Sequence, residues 1–376
     1  MTQIRFYFLT FIATLLISGV TIAQNSSSFY NTYTPFNAEH ANNLSFKIEN
    51  ATFFQNNEFE DPLVEGYTLT GYWVRPAMEY YFNNKLRLTA GINLLKYNGV
   101  DNYSETNPWF SFHYKATPNL DVVFGNLDNS YNHNLPEPMF EPERFLTDQP
   151  EGGIQFLYNS DRFSGQTWIN WEQFIFHDDP FQEIFTYGLS AKYKFFDNDN
   201  VSLSIPIHAV IVHHGGEIDS SDDNVESLAN KAGGLSLDWE VVTENNLNFT
   251  LLYMDYDNMS SSKLRAYDSG KAFLFSTNYQ TRQDNISLSF WHADKFIAPR
   301  GRHIYQSVYP YNSDLTVEKR KLVHGRYSRS FSIFKGGSFN ISADLFYDID
   351  SSKISHTYGF HLIINEDFFI KKIVQK

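Results

Sequence analysis

Adjacent histidines and aspartates are the residues of this chain with the clearest chemical potential. His177, Asp178 and Asp179 are consecutive in one polar segment, and His213 and His214 stand at the start of the next. Imidazole and carboxylate groups that meet in space suit a divalent metal or acid–base catalysis. These five residues are therefore candidate metal ligands, and the plainer alternative is that they are solvated loop residues.

Apart from these residues, the chain carries none of the short motifs of common enzymes. Gly-x-Ser-x-Gly, His-Glu-x-x-His, the phosphate-binding loop and the dinucleotide fingerprint are all missing. The lack of any cysteine excludes thiol nucleophiles, thiolate zinc sites and disulfides. We therefore predict that the protein is not an enzyme, that it has no catalytic residues and that it holds no metal or cofactor.

A long segment at residues 128–150 combines charged groups with apolar side chains that a solvated loop does not need. Three internal prolines stiffen it. Its apolar members are Leu135, Met139, Phe140, Phe145 and Leu146. We predict that the segment packs into the mouth or lumen of a pore as a constriction, and a lid packed on other loops outside is the equal alternative. The constriction candidates are Glu137, Glu141, Glu143 and Arg144.

Residues 167–183 are dense in aromatic and amide groups and form a second candidate site. Trp168, Asn170 and Glu172 are spaced two residues apart, so a β-strand places them on one face. An aromatic ring beside amide and carboxylate groups suits a sugar, which offers an apolar face and hydroxyl edges. The three residues are ligand-binding candidates, and a packing cluster on the wall is the stronger alternative.

Apolar and polar residues alternate with period two through most of the chain, which is the pattern of β-strands. Val201, Leu203 and Ile205 lie on one face, for example, and Ser202 and Ser204 on the other. Seven short turns alternate with eight longer polar segments. This rhythm predicts an all-β fold, a single closed antiparallel transmembrane β-barrel of about 16 strands (14–18 possible), with short periplasmic turns and longer extracellular loops. A soluble sandwich is the main alternative.

The composition is compatible with a barrel in a membrane. Aromatic residues make up 17% of the chain, yet the mean hydropathy is only -0.39. The formal charge of -14 and the lack of a basic block exclude nucleic acid as a partner. Aromatic residues near strand ends are predicted to form girdles at the two membrane interfaces. They are Tyr80, Tyr81, Trp109, Tyr114, Phe195, Phe331, Phe368 and Phe369.

The N-terminal residues are predicted to be a cleaved signal peptide. A largely apolar run from Phe6 to Val20 follows Arg5, and small residues precede Gln24. We therefore divide the chain into a signal peptide (1–23), a flexible N-terminal leader (24–43), a β-barrel domain (44–369) and a C-terminal tail (370–376).

The last predicted strand carries a family resemblance. Gly359, Leu362 and Ile364 resemble the glycine-x-x-hydrophobic-x-hydrophobic signal that the barrel-assembly machinery reads. The chain as a whole resembles a Gram-negative outer-membrane β-barrel of porin size, in the style of the Bacteroidota. It departs from the pattern at its end, where seven residues follow Phe369. The resemblance implies residence in the cell outer membrane, contact with outer-membrane lipid and insertion by the barrel-assembly machinery.

In such a barrel the polar face of the strands lines the lumen, and 16 strands enclose an aqueous channel. We predict a porin-like channel for the diffusion or binding of small polar solutes. A plugged barrel with a scaffold or export-accessory role is the alternative. A rim-located hydrolase is more distant, because outer-membrane phospholipases carry a His-x-Ser pair, which His356 and His361 do not form. The pore-lining candidates are Arg75, Glu79, Lys85, Arg87, Asp121, Glu172, Lys192, Lys194, His208, Asp238, Glu240, Arg326 and Asp344.

Overall fold

Sixteen strands of the described chain close into one antiparallel β-barrel, which confirms the predicted fold. The computed structural model describes residues 30, 32, 34–128, 131–148 and 150–373. The first and last strands pair with each other, with Ala51 opposite Ile363. Closure removes the unpaired edge that an open sheet would expose to lipid.

The strands follow one another around the barrel in chain order, and one small hairpin lies outside it. The barrel strands are β1 (Asn43–Glu58), β2 (Tyr67–Tyr81), β3 (Leu86–Tyr97), β4 (Glu105–Thr117), β5 (Leu120–Asn126), β6 (Gly152–Asn159), β7 (Phe163–Gln173), β8 (Glu183–Asp197), β9 (Val201–Gly215), β10 (Glu226–Val242), β11 (Asn245–Asn258), β12 (Ser269–Gln280), β13 (Asp284–Asp294), β16 (Lys319–Phe334), β17 (Gly337–Asp348) and β18 (Lys353–Lys372). The hairpin is β14 (Val308–Tyr309) and β15 (Asn312–Thr316). The helical turns are Ala38–His40, Tyr131–Asn134, α1 (Arg144–Thr147) and His303–Tyr305.

The strands present apolar side chains to lipid, and towards the periplasmic turns they present mainly polar side chains to the lumen, as their alternation predicts. On β13, Leu288 is 52% exposed on the outer face, whereas its neighbour Ser287 lines the lumen. Two members of the predicted aromatic girdles are misplaced. Tyr81 and Trp109 point inward and are buried, Tyr81 against Phe36 and Trp109 beneath the guanidinium of Arg75. Position near a strand end does not reveal which face a side chain takes. The face is decided by whether the residue is at an odd or an even position along the strand, because successive side chains point to opposite faces.

Two long loops fold into the extracellular half of the lumen and fill it. We call them L3 (residues 127–151) and L7 (residues 295–318). Apolar side chains of both loops share one buried core with the inner faces of the strands. This core includes Leu135, Met139, Phe140, Phe296, Ile304, Tyr305, Trp168, Met254 and Trp291. Below this plug remains a cavity of about 1390 Å³, which extends to Asn119 and Ser160 in the periplasmic turns.

The segment before β1 runs inside the barrel along its inner wall. Tyr30 is buried, and its hydroxyl lies 2.8 Å from Nε2 of His361. The carbonyl of Thr34 accepts a hydrogen bond from Arg87, at 2.9 Å. The described part of the predicted leader therefore contacts β3 and β18. The predicted signal peptide lies outside the described residues.

At the other end of the chain, β18 continues to Lys372, beyond the predicted end of the barrel at residue 369. The last three residues of the predicted tail lie outside the described residues.

Among the described residues, no helix is both long enough and apolar enough to cross a membrane.

Candidate functional site

A serine and a histidine form a hydrogen-bonded pair on the outer wall of the barrel. His213 of β9 and Ser227 of β10 are direct cross-strand partners, and 2.8 Å separates His213 Nδ1 from Ser227 Oγ. Both side chains face outward, because the adjacent residues Val212 and Leu228 are buried in the lumen. A histidine at this distance can accept the proton of a serine hydroxyl and so activate it as a nucleophile.

The outer pair lies at the height of an aromatic girdle. The His213 ring stacks on Phe185, with 4.8 Å between the ring centroids, and Phe185 also contacts Trp171 at 5.2 Å. Towards the periplasm, the same face of β9 continues with Ile211 and Ile207. Aromatic girdles mark the boundary between hydrocarbon and headgroups. The pair is therefore at the depth where the ester bonds of a lipid lie.

The surroundings of the outer pair hold both residues in place. The Ser227 N–H donates to Ser260 Oγ at 2.9 Å, and the Ser227 carbonyl accepts from the Met259 N–H at 2.8 Å. Gly215 makes room for the imidazole, because a Cβ at this position would lie 2.6 Å from His213 Nε2. A larger residue at this position would push the ring away from Ser227.

A second serine–histidine pair lies on the inner wall. His208 Nδ1 is 3.2 Å from Ser190 Oγ of β8, and both residues line the lumenal cavity. Ser190 Oγ also donates to the carbonyl of Asn134 in L3, at 3.3 Å. The Ser190 hydroxyl therefore binds the plug, and the barrel wall separates this hydroxyl from lipid.

Paired charges lock L3 to L7 and to the wall above the cavity. Arg302 of L7 contacts Glu137 of L3 at 3.1 Å, and their backbones are joined by a hydrogen bond of 2.9 Å. Arg326 of β16 binds Glu137 and also Asp344, the latter at 2.5 Å. His324 Nε2 lies 2.7 Å from the same Asp344 carboxylate. Removing one member would leave a buried charge unpaired, at a cost of about 3–5 kcal/mol.

One acid of L3 is only weakly paired. Glu141 lies 3.8 Å from Arg302. Burial, and after it the nearby Glu143 carboxylate, raises the pKa of Glu141 to about 8. Glu143 itself is held by Gln55 and Tyr67, each at 2.5 Å. Glu141 therefore keeps its proton to a higher pH than an exposed glutamate does.

The predicted constriction residues all lie in or above the plug. Glu137, Glu141 and Glu143 line the roof of the cavity. Arg144 lies 3.6 Å from Glu172 and over the ring of Phe140. These contacts tie the four residues to the filled half of the lumen.

The predicted pore-lining residues fall into three groups. One group lines the cavity: Asp121, Lys192, His208, Arg326 and Asp344. A second group points inward but is buried among other side chains: Arg75, Glu79 and Arg87. A third group lies at or near strand ends: Lys85, Glu172, Lys194, Asp238 and Glu240. Less than half of the predicted pore-lining residues therefore line one shared cavity.

The three predicted ligand-binding residues are engaged by the plug. The Trp168 ring stacks on His133 of L3 at 3.8 Å, and it lies directly over Gly188, where a Cβ would be 2.1 Å from the indole. Asn170 accepts a hydrogen bond from the Gly152 N–H at 2.8 Å. Glu172 is 2.7 Å from Arg300 of L7. In this arrangement the three residues bind the plug and keep its loops in place.

The weak metal candidates do not converge. His177 and Asp178 contact each other at 2.8 Å but are 78% and 76% exposed. Asp179 instead accepts a hydrogen bond from the Phe176 N–H. His213 and His214, as neighbours on a strand, point to opposite faces. Across the part of the chain that the structure describes, no three histidine, cysteine, aspartate or glutamate residues form a group able to hold a metal.

Reasoning from the sequence noted His213 but missed its partner, Ser227. A search for serines two residues from a histidine cannot find this pair, because 14 positions separate the two residues and they meet across a hairpin. The register of β9 with β10 brings them together. The pair could have been found from the sequence by pairing the two strands of the long hairpin in a trial register. Polar residues that face outward above the apolar belt would then have been visible as neighbours.

Three solved structures share the barrel architecture of this chain. OccK5 (OpdH) of Pseudomonas aeruginosa has a TM-score of 0.51 at 11% identity, covering 88% of this chain and 99% of that one. OpdL of the same organism has a TM-score of 0.51 at 12% identity, covering 87% and 99%. OmpT of Vibrio cholerae has a TM-score of 0.50 at 9% identity, covering 86% and 100%. The similarity is one of fold.

The family is defined by sequence. The profile of the lipid A 3'-O-deacylase-type family matches residues 36–373, and the chain belongs to this family. No curated protein matches the chain. The family is one of hydrolases, so the prediction that the protein is not an enzyme is wrong. That prediction relied on short motifs, whereas the polar groups of a barrel wall meet across strands.

Proposed function

We propose that the protein is an outer-membrane esterase that removes an acyl chain from lipid A, with Ser227 as the nucleophile and His213 as the general base. Membership of the lipid A 3'-O-deacylase-type family supports the reaction and the substrate class. The observation that carries the assignment of the site is the 2.8 Å contact between His213 Nδ1 and Ser227 Oγ on the lipid-facing wall. Its depth in the outer girdle suits an ester of the outer leaflet.

The reaction proceeds in two steps. In the first, Ser227 Oγ attacks the ester carbonyl carbon while His213 Nδ1 accepts the serine proton and passes it to the departing sugar oxygen. This forms an acyl-serine and releases the deacylated lipid. In the second, water attacks the acyl-serine, His213 accepts a proton from the water and returns it to Ser227, and a fatty acid leaves. Water and one ester are consumed, and one alcohol and one acid are produced.

The filled lumen weighs against the alternative of a diffusion channel. L3 and L7 share a buried core with the inner faces of the strands. Ion pairs between Arg302, Glu137 and Arg326 tie both loops to the wall. An open path for solutes would require these contacts to break, whereas hydrolysis at the outer wall leaves them intact.

The test is hydrolysis of lipid A by the purified protein in mixed micelles. Mass spectrometry measures the deacylated lipid and the free fatty acid. Ser227→Ala is expected to reduce the rate at least about 1,000-fold, since the nucleophile of a serine hydrolase is indispensable. A fluorophosphonate probe is expected to label Ser227 of the unmodified protein.

Ser190→Ala is the matched control, because it removes the same atom from the inner pair. It is expected to hydrolyse lipid A within about twofold of the unmodified protein, and both variants should show the heat-modifiable migration of a folded barrel. Full activity in a folded Ser227→Ala variant would disprove the assignment of the site. No hydrolysis of lipid A by the unmodified protein would disprove the function.

A further inference from the structure

One side of the lumenal cavity below the plug is lined mainly by neutral polar side chains. Along β10, β11, β12, β13, β16 and β17 most of its lining residues carry hydroxyl or amide side chains, among them Ser276, Asn278, Ser287, Ser289 and Ser328. Most charged groups that line the cavity are paired, as Lys192 is with Asp238 at 2.7 Å and Arg326 with Asp344 at 2.5 Å. The wall along these strands therefore offers many hydrogen bonds from neutral groups and little free charge.

Several of these hydroxyls have nothing to bind within the protein. Ser276, Ser287, Ser289 and Ser328 have no side-chain hydrogen-bond partner among the described residues, although each lines the cavity. Ser276 and Ser289 are direct cross-strand neighbours on β12 and β13. Their hydroxyls form a row that is available to a ligand or to water.

Apolar side chains also lie near the top of the cavity, beside the glutamates of its roof. Leu252, Leu274 and Tyr305 line it, and they belong to the buried core of the plug. The cavity thus joins an apolar strip to a field of neutral hydrogen-bonding groups. Sugar rings combine the same two properties, an apolar C–H face and a rim of hydroxyl groups. The volume of about 1390 Å³ exceeds the roughly 300–1,000 Å³ of common small-molecule sites, so it accommodates more than one ring.

We propose that this cavity binds a neutral oligosaccharide of a few rings, which enters from the periplasm. The entrance lies among the periplasmic turns, where Asn119 and Ser160 line the lower end. L3 and L7 close the opposite end. This binding is independent of the outer wall, because the barrel separates the cavity from Ser227.

The lack of any cysteine in the chain allows a direct test. Ser289→Cys creates a single thiol in the cavity, and its rate of reaction with a small maleimide is measured in the full-length protein. The detergent is dodecyldimethylamine oxide, since a maltoside headgroup would itself compete. Maltotriose, mannotriose and triacetylchitotriose are the neutral probes, and trigalacturonate is the charged one.

At least one neutral probe is expected to slow the reaction fivefold or more at millimolar concentration, with little effect of trigalacturonate. Calorimetry with the protecting sugar then compares two variants. Ser276→Phe fills the cavity and is expected to weaken binding at least tenfold, whereas Leu288→Phe, on the lipid face next to Ser287, is expected to leave it unchanged. Three results would each overturn the proposal: no protection by any neutral probe, equal protection by trigalacturonate, or unchanged affinity of a folded Ser276→Phe variant.

Discussion

The two serine–histidine pairs of β9 lie on opposite faces of the strand. His208 meets Ser190 of β8 on the lumenal side, at 3.2 Å. His213 meets Ser227 of β10 on the lipid side, at 2.8 Å. An odd separation of five positions places the two imidazoles on opposite sides of the wall. The same two residue types are thereby placed in two unrelated environments.

What surrounds each pair decides what it can do. The inner serine donates to Asn134 of L3, so it fastens a loop. The outer histidine stacks on Phe185 in the girdle, and the Ser227 hydroxyl contacts that histidine on the outward face of the wall. A reactive pair therefore cannot be identified from residue types and distance alone. Access to the substrate has to be included.

The largest expected effect separates the two histidines. His213→Gln removes the general base and is expected to reduce kcat for lipid A hydrolysis at least about 1,000-fold. His208→Gln makes the same change on the other face and is expected to alter kcat less than threefold. Steady-state kinetics on both purified variants measure the difference, and equal losses would mean that the face of the wall does not matter.

A smaller effect tests the two faces of the wall themselves. Leu288→Arg places a charge in hydrocarbon and is expected to reduce the free energy of unfolding by about 2–4 kcal/mol. Ser287→Arg places it in the lumenal cavity and is expected to cost far less. Urea titrations of both variants in lipid vesicles give the two values. A loss at position 287 as large as that at 288 would show that these faces are assigned wrongly.

The smallest expected effect concerns pH and the plug. Because the folded protein raises the pKa of Glu141 to about 8, the folded state binds a proton that the unfolded chain releases near pH 4.5. The contribution of Glu141 to stability is therefore fully present below pH 4.5 and declines as the pH rises to about 8. Glu141→Gln removes this dependence, so its advantage in unfolding temperature over the unmodified protein should grow from pH 5 to pH 9.

Glu217→Gln is the control for this measurement, since Glu217 is exposed in the loop between β9 and β10. Its unfolding temperature should follow that of the unmodified protein at both pH values. If Glu141→Gln loses stability relative to the unmodified protein between pH 5 and pH 9, the buried carboxyl is not a source of pH sensitivity.

The sequence predicted the architecture well because the relevant signal is local. Alternation along a segment such as residues 201–211 indicates a strand wherever the segment later pairs. The apolar residues of L3, such as Met139 and Phe140, likewise indicate that the loop must bury something. The inward orientation of Tyr81 and Trp109 was not predicted, because the prediction used only their position near strand ends. The face of a strand residue depends instead on whether its position along the strand is odd or even.

The sequence by itself determined that this chain forms a closed membrane barrel of about 16 strands, because period-two alternation and turn spacing are properties of short segments. Only the tertiary structure decided that His213 meets Ser227, that L3 and L7 fill the lumen together, and that unpaired serines of three strands face one cavity. Each of these depends on the register between strands or on contacts between distant loops. No local pattern encodes such a contact, because its partners are brought together only when the barrel closes.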